Sequence, residues 1–126
     1  MNPHQPDAPT QLAEDTDWAG DEMREECGVF GIFAHEDATT LVALGLQALQ
    51  HRGQEAAGIV SSDGKQFYAE RRMGLVSDSF TKPSVMKRLA GNSAIGHVRY
   101  STTGETVLRN VQPLFADLAG GGFALA

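Results

Sequence analysis

The sequence holds a single cysteine, one tryptophan and five prolines, three of them within the first nine residues, and no apolar run nears the roughly 18 residues that a membrane-spanning helix needs. One thiol makes neither an internal disulfide nor a cysteine cluster, so no metal site is expected, and a reducing, cytoplasmic setting is predicted. The first 26 residues lack the apolar core of a secretory signal, and their acids are wrong for an organellar transit peptide. Internal repeats and low-complexity tracts are missing as well. A positive surplus is also lacking. Of the net charge of −6, residues 1–26 carry −7, from Asp7, Glu14, Asp15, Asp17, Asp21, Glu22, Glu25 and Glu26 against Arg24 alone, which leaves residues 27–126 at +1. A nucleic-acid stripe or a membrane-binding face is therefore not expected.

What is present fits one domain at most: 126 residues, 41% of them hydrophobic and 21% charged, is a globular balance. Residues 1–26, with Pro3, Pro6, Pro9 and few large apolar side chains, cannot bury enough surface to offset ordering entropy and read as a flexible acidic extension. Character changes at Cys27. The run from Gly28 to Ala34 predicts a strand covered on both faces. Asp37 is a candidate N-cap for a helix over 38–50, apolar nearly all round, with Leu41, Leu44, Gly45 and Ala48 on one face and Val42, Leu46 and Leu49 on another. Such a helix would be buried by a sheet and a neighbouring helix, and Gly53 is placed to close it.

A hairpin over 57–62 and 66–72 turns on Asp63-Gly64. Pro83 to Leu89 reads as a short helix stopped by Gly91, Ser93 to Tyr100 as a strand, and 101–110 as a polar loop. A last hairpin, 114–117 with 123–126, is expected to turn on Gly120-Gly121-Gly122, a run without the Lys-Ser/Thr ending of a phosphate loop. Because the sequence stops within the apolar Phe123-Ala124-Leu125-Ala126, a fragment of a longer protein is expected.

Cys27 stands between the acidic extension and the first strand. A thiol that attacks an amide needs a base, and an α-amino group on the same residue, with a pKa near 7.7–8.0, serves once it is freed from Glu26. Residues 1–26 thus read as a propeptide. Taken alone, an isolated thiol more often serves as a small apolar core residue. The neighbouring motifs decide otherwise. Glu26-Cys27-Gly28-Val29-Phe30-Gly31-Ile32, then Leu49-Gln50-His51-Arg52-Gly53-Gln54-Glu55-Ala56-Ala57-Gly58-Ile59, Gly74-Leu75-Val76-Ser77-Asp78 and Gly96-His97-Val98-Arg99-Tyr100-Ser101-Thr102 together resemble the start of the amidophosphoribosyltransferase family, in register over residues 27–126. Arg-Gly-Gln-Glu is closer to this family than to the related hexosamine synthases, which tend to have Arg-Gly-Tyr-Asp.

The resemblance implies an α+β fold, the N-terminal-nucleophile hydrolase sandwich of four layers (αββα), incomplete in this chain. It implies that Cys27 forms a glutamyl thioester and releases ammonia, and that Arg99 holds the α-carboxylate of glutamine through its planar fork. Thr102 resembles a substrate-contacting residue, and Arg52 and Gly53 the turn beside the nucleophile. His51 and His97 are read as structural. Implied further are ammonia transfer to phosphoribosyl pyrophosphate, a glycosyltransferase step of purine biosynthesis, in a distal domain that uses magnesium and often a 4Fe-4S cluster, and a homo-oligomer at full length. An Asn-Gly oxyanion pair would follow Ala126, and without it catalysis should fall by about 10²-fold or more. The alternatives are another class II glutamine amidotransferase, of the glutamine-fructose-6-phosphate aminotransferase or glutamate synthase type, and a non-catalytic interaction module.

Overall fold

The computed structural model describes residues 27–52, 55–100 and 107–126. Its elements run β1 (Gly28–Ile32), α1 (Ala38–Ala48), β2 (Ala56–Ser62), β3 (Phe67–Met73), α2 (Val76–Ser79), α3 (Pro83–Met86), β4 (Ser93–Arg99), β5 (Leu114–Leu118) and β6 (Gly121–Leu125), with single 3₁₀ turns at Gln50–Arg52 and Leu108–Asn110. Four strands form an antiparallel sheet in the order β1-β4-β2-β3, and β5 and β6 form a separate pair. Mixed helix and antiparallel sheet agrees with the expected α+β class at that coarse level.

α1 lies across the face that carries Gly96, Val98, Ala57 and Ile59. Two glycines allow the close approach: a Cβ on Gly96 would sit 2.6 Å from Leu46 Cδ1 and 2.7 Å from Val42 Cγ1, and one on Gly45 would run into the ring of Phe30. Val42, Leu46, Ile59 and Val98 are fully enclosed there, and Val76, Phe80, Val85 and Leu89 extend the same core under the short helices. Glu70, nearly buried on β3, is held by Arg72 at 2.6 Å and by Arg88 at 3.2 Å, which ties β3 to the segment after α3.

The opposite face is met by residues 107–126. Val111 and Pro113 are buried, Arg71 Nη1 donates to the Val111 carbonyl at 3.5 Å, and the Gln112 carbonyl occupies the space that a side chain at Gly58 would need. Phe67 on β3 packs edge-on against Phe115 on β5, with ring centroids 6.3 Å apart.

The hairpin of β2 and β3 forms as expected. Asp63 Oδ1 accepts the Lys65 and Gln66 amides at 2.8 and 2.9 Å, Gly64 takes φ 88°, and these bonds, with one from the Tyr68 hydroxyl, hold the Asp63 carboxyl below its ordinary 3.8. Other elements differ from expectation. β1 is an edge strand whose sole partner is β4, and it is well covered on one face only: Val29, on the side away from α1, is 53% exposed, and Phe33, beyond its end, is 89% exposed. α1 stops at Ala48, and Leu44 is 57% exposed because only the Val42–Leu46 side meets the sheet. Asp37 occupies the N-cap position without a side-chain cap, while its own amide donates to His35 Nδ1 at 2.9 Å. The last hairpin is tighter than the glycine run suggested. Leu118 pairs with Gly121, so Ala119-Gly120 makes the turn and Gly121 and Gly122 are strand residues. Residues 1–26 and most of the loop after Tyr100 lie outside the described residues, as does Gly53, the expected helix stop.

A side chain at Gly58 would run into the Gln112 carbonyl and crowd Arg71, so Gly58→Ala should destabilise the protein by about 2 kcal/mol, as overpacking against an unyielding carbonyl does. Gly120→Ala, whose Cβ would meet open space, should not. Urea midpoints of the two variants check this, and equal midpoints would contradict the packing of residues 111–113 on β2.

Candidate active site

The start of β1, the end of β4 and the start of β2 meet at one edge of the sheet. Gly28 pairs with Val98 and Ala56 with Arg99, so one step back along the chain from Gly28 brings Cys27 beside Arg99. The Cys27 thiol is free and half-buried, and its Sγ donates to the Tyr100 carbonyl at 3.7 Å. On the other side of β4 the Glu55 amide donates to the Arg99 carbonyl at 3.1 Å. Arg99 is thus tied through its carbonyl to the start of β2, and Tyr100, the next residue, to the Cys27 thiol.

The turn after α1 supplies the next group. Leu49 lies against Gly28, where a Cβ would come 3.1 Å from Leu49 Cβ, and the Arg52 amide donates to the Leu49 carbonyl at 2.9 Å. Gln50 Oε1 accepts the Ser77 amide at 3.2 Å, which fixes the turn to α2. From this platform Arg52 Nε donates to the Cys27 carbonyl at 3.1 Å. A guanidinium therefore holds the backbone of the thiol-bearing residue itself. His51 is exposed, with Nδ1 3.1 Å from the Ala48 carbonyl at the helix end, as suits a structural residue.

His97, read from sequence as structural, lies two residues before Arg99 on the same face of β4. It is 6% exposed, and its Nδ1, like Arg99 Nε, is buried without a hydrogen-bond partner among the described residues. Burial, and then the Arg99 charge, push its pKa below the ordinary 6.5. The period-2 alternation of β4, with His97 and Arg99 on the face away from α1, was the signal in the sequence that could have linked it to the site.

Of the five site residues expected from sequence, Cys27, Arg52 and Arg99 are brought together, and Gly53 and Thr102 lie outside the described residues. Among the described residues no group of three or more His, Cys, Asp or Glu side chains could hold a metal.

Comparison with known proteins bears on the same residues. An amidophosphoribosyltransferase of Rhizobium etli is 67% identical over 107 residues, which is 85% of this chain and 22% of that protein. The chain is homologous to the N-terminal part of amidophosphoribosyltransferases. The solved glutamine phosphoribosylpyrophosphate amidotransferase of Bacillus subtilis, complexed with ADP and GMP, is 44% identical with a TM-score of 0.68, over 78% of this chain and 21% of that one. A second structure, described as the allosteric regulatory enzyme of purine biosynthesis, is 44% identical with a TM-score of 0.70, over 76% of this chain and 21% of that one. No family model matches. The chain thus spans about a fifth of the length of these amidophosphoribosyltransferases.

Because His97 is harder to protonate folded than unfolded, the unfolded state binds more protons between its lowered pKa and 6.5. That contribution to stability is complete above 6.5 and is lost as pH falls toward the folded pKa. Urea unfolding from pH 7.5 to 5 should show a decline in stability that is smaller in His97→Asn, and identical slopes would refute it.

Proposed function

We infer that Cys27, once residues 1–26 are removed, is the nucleophile of a glutaminase, and that the full-length protein passes the ammonia to phosphoribosyl pyrophosphate to make phosphoribosylamine. The observation that carries this reading is the meeting of a half-buried thiol, a guanidinium bonded to its own carbonyl, and a second guanidinium one strand away. Homology to amidophosphoribosyltransferases supports the same chemistry.

Arg99 holds the α-carboxylate of glutamine, and Arg52 fixes the backbone of Cys27 so that thiol and α-amine keep one orientation toward the carboxamide. The α-amine takes the thiol proton, and the thiolate adds to the carboxamide carbon. The collapsing intermediate expels the nitrogen, which leaves as ammonia with the proton returned by the α-ammonium. The remaining glutamyl thioester is cleaved by water, with the amine as base again, to give glutamate and the free thiol. Gly53 and Thr102 complete the substrate pocket on this reading. α1 on one face of the main sheet and the β5–β6 hairpin on the other support three layers of an N-terminal-nucleophile hydrolase sandwich, of which residues 27–126 form the first part. The rest of the protein supplies the oxyanion donors and the phosphoribosyl chemistry, with its magnesium and 4Fe-4S cluster, and assembles as a homo-oligomer in the cytoplasm.

Labelling of the full-length protein with a glutamine-analogue electrophile should give one adduct per chain, on a polypeptide whose N-terminal sequence begins at Cys27. A fully active enzyme that begins at Met1 would overturn the processing step, and an unlabelled one the nucleophile.

Arg99→Ala should lower glutamine-dependent kcat/KM by roughly 10²-fold or more, as loss of a charge-assisted bidentate contact does. Synthesis from added ammonium salt should persist. Parallel loss of both would mean that Arg99 serves folding alone.

A further inference from the structure

His97 Nδ1 and Arg99 Nε are buried, and neither has a partner among the described residues. They belong to alternate residues of β4, so both side chains rise from the face away from α1, with Cα atoms about 6.7 Å apart. Buried polar atoms are nearly always paired in working proteins, so each atom calls for a partner.

Each fits the other. Arg99 Nε–H can only donate, whereas a neutral imidazole with its proton on Nε2 offers a lone pair at Nδ1. Burial and the Arg99 charge favour the neutral imidazole. It sits in register between Val29 of β1 and Gly58 of β2, the Gln112 carbonyl lies over Gly58, and His97 is 6% exposed. Arg71, the other cation on this face, donates instead to the Val111 carbonyl at 3.5 Å.

We propose that His97 is a positioning residue for Arg99: its Nδ1 accepts the Nε–H of Arg99 when the guanidinium engages the substrate carboxylate. Holding Nε from behind leaves the two terminal nitrogens as an end-on fork for both carboxylate oxygens. Hydrogen bonds of this kind are commonly long in the unliganded site and close on binding. The inference rests on the reading of Arg99 as the carboxylate holder.

The test uses the full-length enzyme and steady-state kinetics with glutamine at saturating acceptor. His97→Leu fills the space without an acceptor, His97→Gln places its amide near the Nε2 position, and His97→Asn places an oxygen near Nδ1. Leu and Gln should each raise the KM for glutamine about tenfold, the scale of a hydrogen bond to a charged group, with kcat within about twofold. Asn should return KM to within about threefold of the parent. If Leu prevents folding, as a melting curve would show, the Gln and Asn pair alone decides.

Unchanged KM in Gln, or an Asn variant no better than Gln, overturns the proposal while Arg99→Ala still cripples glutamine use. If Arg99→Ala itself leaves glutamine KM unaltered, the reading of Arg99 fails and this proposal goes with it.

Discussion

In the main sheet one residue, Val98, pairs with Gly28 on one side and Ala57 on the other, and is wholly buried under α1. That register decides what stands next to what at the sheet edge. Because side chains alternate faces with a period of two, a slip of one residue would turn Val98 outward and drive the neighbouring His97 and Arg99 into the helix-covered core. The cost of burying a guanidinium there without a partner far exceeds that of any local rearrangement. The core therefore sets the geometry of the site: apolar packing on one face leaves only one position for the polar residues on the other.

The glycines act through the same constraint. Gly96 and Gly45 bring α1 down onto the sheet, and Gly28 admits Leu49. Once Leu49 is seated, the 3₁₀ turn that follows has to leave the helix end toward the start of β1, and Arg52 reaches the Cys27 carbonyl. On the far face Gly58 does for residues 111–113 what Gly96 does for α1. A small side chain at each contact exchanges helix or strand propensity for close approach, and the gain is dispersion and burial over the whole interface.

Two guanidinium groups stand near one thiol at this edge of the sheet. Their tasks differ. Arg52 is engaged with backbone and serves position, whereas Arg99 keeps a buried donor open toward a partner. A buried cation with an unspent donor among the described residues distinguishes this edge of the sheet from the ion pairs around Glu70, where both charges are paired.

How much of this was legible beforehand follows from range of interaction. The sequence by itself determined the β2–β3 hairpin, through an Asp-Gly turn whose amide bonds close within four residues, the α1 helix, through local periodicity, and the choice of Cys27, Arg52 and Arg99 as candidates, through motifs in register. It misjudged the coverage of β1 and Leu44, because burial depends on what a distant segment brings, and composition carries no record of which face remains uncovered. The glycine run after Leu118 was misread because strand pairing, not glycine content, decides where a hairpin turns. Only the tertiary structure set Cys27 beside Arg99 and Tyr100, more than seventy residues away in sequence, and only it buried His97 on the same face of β4 as Arg99. Those neighbours are created by strand pairing and core packing, which act between residues that no local pattern connects.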